Sequence, residues 1–180
     1  MTGVQTCALP IYLPAGLGPH FSMIHAITRQ ESQFDRGIAS SANARGLMQL
    51  LPGTAAEQAA KLGLPASTDR LTSDPVYNVT LGSAYFNRLR ENFGGSHVLA
   101  VAGYNAGPGN ARKFITANGD PRSEGIDTID WIEAIPLSET RNYVQRVLEN
   151  AVMYDLLHPQ TATMPRTNRL SAYLAKKTPG

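Results

Sequence analysis

Cysteine is nearly absent from this 180-residue chain, Cys7 being the only one. An internal disulfide framework and a cysteine metal cluster are therefore excluded. Charge is scarce as well: Lys and Arg total 16 against 14 Asp and Glu, the net charge is +2, and no basic block of five or more appears. The electrostatic footprint of a nucleic-acid binder is missing, while the slight positive balance suits an anionic polymer such as cell wall. No apolar run approaches the ~18 residues of a membrane helix, and the start lacks the basic, apolar and small-residue series of a signal peptide. Strand-like alternation and internal repeats are lacking too. His20, His25, His97 and His158 are scattered without metal-ligand spacing and read as surface imidazoles. No Gly-rich phosphate loop follows a strand, and no Ser-His-Asp order supports an esterase. What remains, 42% hydrophobic and 17% charged, is the composition of one globular domain with a single core.

The informative stretch is 21–52. Phe21, Ile24, Ile27 and Phe34 recur at helical spacing, and on a helical wheel Glu31 falls between Ile24 and Ile27 on that apolar stripe. His25, Arg29 and Gln33 take the opposite face, so the acid points inward although polar positions were available. Burial raises a carboxyl pKa, which suits a general acid near neutral pH. On the wheel alone, a helix-end Glu that bends to water or pairs with an arginine stays open.

Three regions are expected along the chain. Residues 1–11 do not read like the rest: 2–11 back-translate into a common sequencing-adapter oligonucleotide, so a fused leader is expected there. Residues 12–157 form the domain, and 158–180, without a sustained stripe, are expected to be a flexible tail. Within the domain the Glu31 helix runs over about 20–34, followed by a small-residue loop at 35–44. Thr54 and Glu57 form a capping box for a short helix. Asp74 caps and Pro75 starts a longer one, with Val76, Val79, Tyr85, Phe86, Leu89 and Phe93 on its buried side. Ser96 opens the next helix, which stops at the turn 106–109 before another over 110–117. The last long helix, 138–157, buries Val144, Val147, Leu148, Val152 and Leu156.

Four motifs in order, "QES" at 30–32, "GLMQLLP" at 46–52, "YNAGPG" at 104–109 and "WIEAIPLSETRNYV" at 131–144, resemble the catalytic domain of soluble lytic transglycosylases of family 1, in the lysozyme-like superfamily. The likeness covers roughly 21–157. It implies an all-α, lysozyme-like domain of the goose-type lysozyme and soluble lytic transglycosylase kind, acting on peptidoglycan glycan strands in the periplasm. No cofactor, metal, nucleic-acid partner or transmembrane segment is expected, and the chain is expected to be a monomer.

The resemblance also implies roles. Glu31 matches the single catalytic acid, which protonates the bridging oxygen and then, as a base, takes the proton of the muramyl 6-hydroxyl while that oxygen closes onto the anomeric carbon. The product is a 1,6-anhydro end. Ser40 matches the serine holding the acetamido group, Gln49 the binding amide, Tyr104 and Asn105 residues near the acid, and Glu139 the acid of Ser-Glu-Thr-Arg. Ser32 and Met48 are counted with the substrate-binding residues, Met48 with a core position as its alternative. Asp35, Asp74 and Glu91 are a loop acid, a cap and a solvated face. The missing second carboxylate becomes intelligible if the substrate supplies its own nucleophile. A lysozyme-type hydrolase of the same bond and a non-catalytic glycan-binding module are the rival readings.

Overall fold

The computed structural model describes residues 20–164 and 167–176, so the expected leader at 1–11 lies outside the described residues. Among them nine helices form: α1 Phe21–Ser32, α2 Pro52–Lys61, α3 Arg70–Ser73, α4 Pro75–Asn92, α5 His97–Ala106, α6 Pro108–Asn118, α7 Thr128–Glu133, α8 Ser138–Leu157 and α9 Arg169–Tyr173. Extended pairing among the described residues is confined to isolated bridges at Ala39–Arg45 and Arg45–Leu50. The architecture is all-α, as the sequence predicts.

Local chemistry explains several boundaries. The Asp74 carboxylate accepts the Tyr77 N–H, with Pro75 in the first turn of α4, and Ser96 Oγ accepts the Leu99 N–H at the start of α5. Asp127 does the same for Ile129 and Asp130 at α7. The capping box expected at Thr54 does not form. The helix starts earlier, at Pro52, and Glu57 is drawn outward to Arg88 and Lys61.

α1 is the central element. Residues 22–28 are all buried, because the helix lies along α8 and is enclosed by the other helices of the main core. Its expected polar face is therefore wrong at His25, which is only 5% exposed; its Nδ1 bonds the Phe21 carbonyl, and its ring packs among Phe21, Phe34 and Tyr154. His97 is also buried rather than a surface imidazole. Desolvation, then the charges of Arg90 and His20, pushes it down to about 3, so it packs as a neutral ring. Val76 and Leu156, expected in the core, are about half exposed, since each lies at a helix end that overhangs it.

The expectation of a flexible tail beginning at 158 also needs correction. α9 packs on α8, burying Tyr173 and Leu174 in the main core, and Thr128 Oγ1 donates to the Leu174 carbonyl. A run too short to show a stripe can still supply one aromatic that fills a core gap.

Candidate active site

The site is assembled around the turn 45–50, between α1 and α2. Its backbone closes on itself: Arg45 and Leu50 exchange N–H···O bonds of 3.0 and 3.1 Å, and Gln49 N–H reaches the Gly46 carbonyl at 3.0 Å. Gly46 sits at φ +73°, and a Cβ there would overlap the Leu71 carbonyl oxygen and Asn78 Nδ2. Only glycine satisfies both constraints. Gln49 itself adopts φ +44°, an uncommon conformation for a residue with a side chain.

Three helices hold this turn. From α1, Ser32 Oγ donates to the Leu47 carbonyl at 2.8 Å. From α4, the buried Asn78 amide donates to the carbonyls of Arg45 (2.9 Å) and Leu71 (3.0 Å) and accepts the Met48 N–H (2.9 Å). From α5, Tyr104 Oη donates to the Met48 carbonyl at 2.8 Å. Asn78 was missed in the sequence, although a polar residue on the stripe of Leu81 and Tyr85 is the same kind of signal that marks Glu31.

These bonds revise two expected substrate contacts. Ser32 is 4% exposed and its hydroxyl is committed to the Thr28 and Leu47 carbonyls. Met48 is fully buried, its side chain packed where Gly82 leaves room. Neither can touch a sugar from the surface. Both instead anchor the turn beside Glu31, Ser32 through the Leu47 carbonyl and Met48 through its own N–H and carbonyl, held by Asn78 and Tyr104.

Glu31 stands in the last turn of α1, next to this turn. Burial, the largest influence, pushes its carboxyl up to about 7; the Tyr143 hydrogen bond works downward and the nearby charge of Glu139 upward. Tyr143 Oη, from α8, donates to Glu31 Oε1 at 2.6 Å. Burial and the Glu31 charge hold that phenol well above its usual range, so it remains a donor. No group of the described residues hydrogen-bonds Glu31 Oε2, which is left to carry an exchangeable proton. Tyr143 escaped the sequence reading because it looks like one more core residue of "NYV".

The other expected residues fall around the acid in different ways. Tyr104 is half-buried, and the Glu31 charge, after burial, raises its phenol pKa. Asn105 follows it on α5, and its Oδ1 accepts the hydroxyl of the buried Thr140 at 2.7 Å. That bond fixes the amide orientation and leaves the Nδ2 hydrogens for another acceptor. The Gln49 side chain donates inward, its Nε2 reaching the carbonyls of Gly46 (2.9 Å) and Ile38 (3.2 Å), so its Oε1 has no donor among the described residues. Ser40 lies in the exposed loop after α1, where its Oγ accepts the Ala44 N–H at 3.0 Å. Glu139 is exposed in the first turn of α8, within electrostatic range of Glu31. Among the described residues no group of three His, Cys, Asp or Glu could hold a metal ion, and no helix is long and apolar enough to cross a membrane.

Known proteins resemble this chain. Residues 18–125 match the Transglycosylase SLT domain family. The soluble lytic murein transglycosylase of Escherichia coli K12 is 38% identical over 130 residues, covering 72% of this chain and 20% of the relative. A putative soluble lytic murein transglycosylase of Haemophilus influenzae is 38% identical over 150 residues, or 81% and 24% of the two chains. Among solved structures, an inactive glutamate-to-glutamine mutant of lytic transglycosylase Slt from Pseudomonas aeruginosa superposes with a TM-score of 0.71 at 45% identity, covering 78% of this chain and 22% of that one. The chain thus spans about a fifth to a quarter of the length of these relatives. The helical fold is the lysozyme-like one of the Slt enzymes. An acid lifted toward neutrality at the end of a buried helix, the glycine turn beside it and the agreement with these relatives lead to one conclusion: the chain belongs to the Transglycosylase SLT domain family.

Proposed function

We propose that this domain is a peptidoglycan lytic transglycosylase, cleaving the β-1,4 bond between N-acetylmuramic acid and N-acetylglucosamine with formation of a 1,6-anhydromuramyl end. The observation that carries the reading is the state of Glu31: largely buried, lifted to about 7, with one oxygen held by Tyr143 and the other without a hydrogen bond among the described residues. Such a group is protonated often enough near neutrality to donate, and basic enough afterwards to accept. Glu31 Oε2 protonates the bridging oxygen as the glycosidic bond breaks, and the released carboxylate is stabilised by Tyr143. It then takes the proton of the muramyl 6-hydroxyl as that oxygen bonds to the anomeric carbon, so atoms and charge balance without water. Gln49 Oε1, Asn105 Nδ2 and the Ser40 hydroxyl are acceptor and donor groups for the acetamido and hydroxyl groups of the sugars, with Glu139 at the rim. The domain acts as a monomer on glycan strands in the periplasm.

Hydrolysis of the same bond is the second reading, favoured by Glu139, whose charge is felt at Glu31 and which could serve as the second carboxylate of a lysozyme. Digestion of purified peptidoglycan in oxygen-18 water separates the two. The transglycosylase gives anhydro-muropeptides with no heavy oxygen at the new end; labelled reducing ends would make Glu139 a base and the enzyme a hydrolase.

A further inference from the structure

One buried carboxylate has no part in the chemistry above. Asp155, on α8, is fully buried and collects three hydrogen bonds: Ser22 Oγ donates to Oδ1 at 2.5 Å, Thr163 N–H to Oδ1 at 2.9 Å, and Tyr173 Oη to Oδ2 at 2.9 Å. An acid enclosed by neutral donors is an expensive way to fill space, since an apolar side chain would pack there with no desolvation cost. What the acid provides, and a leucine would not, is direction. Each of its partners belongs to a different stretch: Ser22 to the first turn of α1, Thr163 to the segment after α8, and Tyr173 to α9.

The placement of the bond to Ser22 is informative. α1 and α8 run antiparallel, with Glu31 meeting Tyr143 at one end and Ser22 meeting Asp155 at the other, roughly 14 Å away along the helix axis. The side chains between these ends are apolar, or bond within their own helix as Thr28 does to the Ile24 carbonyl. Apolar packing resists separation strongly but sliding only weakly, because dispersion and burial have little directionality. One polar tie leaves a helix able to pivot about it. Two ties at opposite ends fix both register and rotation.

We propose that Asp155 is a positioning residue for the Glu31–Tyr143 pair, and that the C-terminal stretch carrying Thr163 and Tyr173 is thereby part of the catalytic apparatus. The proposal rests on the reading of Glu31 as the acid. Thr163 and Tyr173 hold the Asp155 carboxylate in one orientation, Asp155 holds the start of α1, and the start of α1 determines where its last turn presents Glu31. A slip of about 1 Å would lengthen the Tyr143 bond beyond hydrogen-bonding range and move Oε2 off the scissile oxygen, a displacement of the size that costs on the order of 100-fold in rate.

The test uses the full chain with two mild variants, Ser22→Ala and Tyr173→Phe, each removing one hydroxyl. Turnover and KM are measured on soluble glycan strands, and Glu31 is titrated by NMR in protein carrying carboxyl-labelled glutamate, its signal assigned by its loss in Glu31→Gln. The groups bearing on that titration are Tyr143, Glu139 and Tyr104, none of which is altered. The expected result is a fall in kcat of ~10-fold or more with little change in KM, together with a Glu31 titration moved upward from about 7, because the Tyr143 bond that lowers it is weakened. Folded variants with wild-type kcat and an unmoved titration, whatever their melting temperature, would overturn the proposal and leave Asp155 a structural acid. If the unaltered chain fails to cleave glycan strands, the enzymatic reading fails on its own, and the NMR titration still decides whether Asp155 sets the Glu31 environment.

Discussion

Tyr143 and Glu31 meet across the α1–α8 interface with the phenol donating to the carboxyl at 2.6 Å, a bond that opposes the larger effect of burial on the same acid. Removing it with Tyr143→Phe takes away the one influence that lowers the carboxyl. The Glu31 pKa should rise further above about 7, and the alkaline limb of the pH–rate profile should move to higher pH. The rate at the optimum should fall by ~10-fold as the carboxyl loses its aim. An alkaline limb that stays in place would show that the bond is not made in the working enzyme.

Glu31→Gln is expected to lose at least ~100-fold in lytic rate, because the amide keeps the shape but has no transferable proton. It should also be more stable at alkaline pH. The folded carboxyl titrates at about 7 against 4.5 for an unperturbed group, so between these values the folded state holds a proton that the unfolded state has lost. Stability conferred by that proton is complete below the lower value and is lost as pH rises through the upper one, by roughly 3 kcal/mol in all. Melting curves should therefore place the glutamine variant several degrees above the wild type near pH 8 and close to it near pH 5. Coincident melts at both values would mean that Glu31 is better solvated than its surroundings indicate.

Thr140 acts on Asn105 through a single bond of 2.7 Å. Thr140→Val keeps the shape and removes the hydroxyl, freeing the Asn105 amide to rotate and leaving its oxygen unpaired. KM for glycan strands should rise several-fold, equivalent to about 1 kcal/mol, while Thr140→Ser stays near wild type. Equal KM values for the two variants would mean that the amide orientation is set by something else.

Gly46→Ala should be the most damaging small substitution in the turn. Its Cβ would run into backbone at Leu71 and into Asn78, at a φ of +73° that already disfavours a side chain. A loss of about 3 kcal/mol or more is expected, seen as a large fall in melting temperature and reduced glycan binding. Gly53→Ala, with open space around it, is the control and should change little.

Glu31 was legible because an acid on an apolar stripe is a local contradiction, visible within one helix. The caps at Asp74 and Ser96 were legible for a similar reason: donor and acceptor lie three residues apart. Tyr143, Thr140 and Asn78 share the opposite property, each bonding a partner far away in sequence, and a tyrosine or threonine in a helix shows nothing until that partner is known. Ser32 and Met48 were found through the resemblance, but lying in a matching motif says nothing about whether a side chain faces the surface. His25 and His97 were misplaced because composition treats histidine as polar, whereas a neutral ring packs readily among aromatics. The α9 segment was missed because its order comes from Asp155 and the core, not from its own pattern.

The Met48 amide has a further consequence, for the order in which the molecule assembles. It donates to Asn78, thirty positions further along the chain, and its carbonyl accepts from Tyr104, still further on. The turn therefore cannot acquire its final shape until α4 and α5 have docked. In hydrogen–deuterium exchange, the Met48 N–H should open only with those helices and exchange at the slow rate of the core, unlike a surface turn. The turn beside Glu31 would then be among the last parts of the chain to form, and a nascent domain would hold that acid without its finished neighbour until packing was complete.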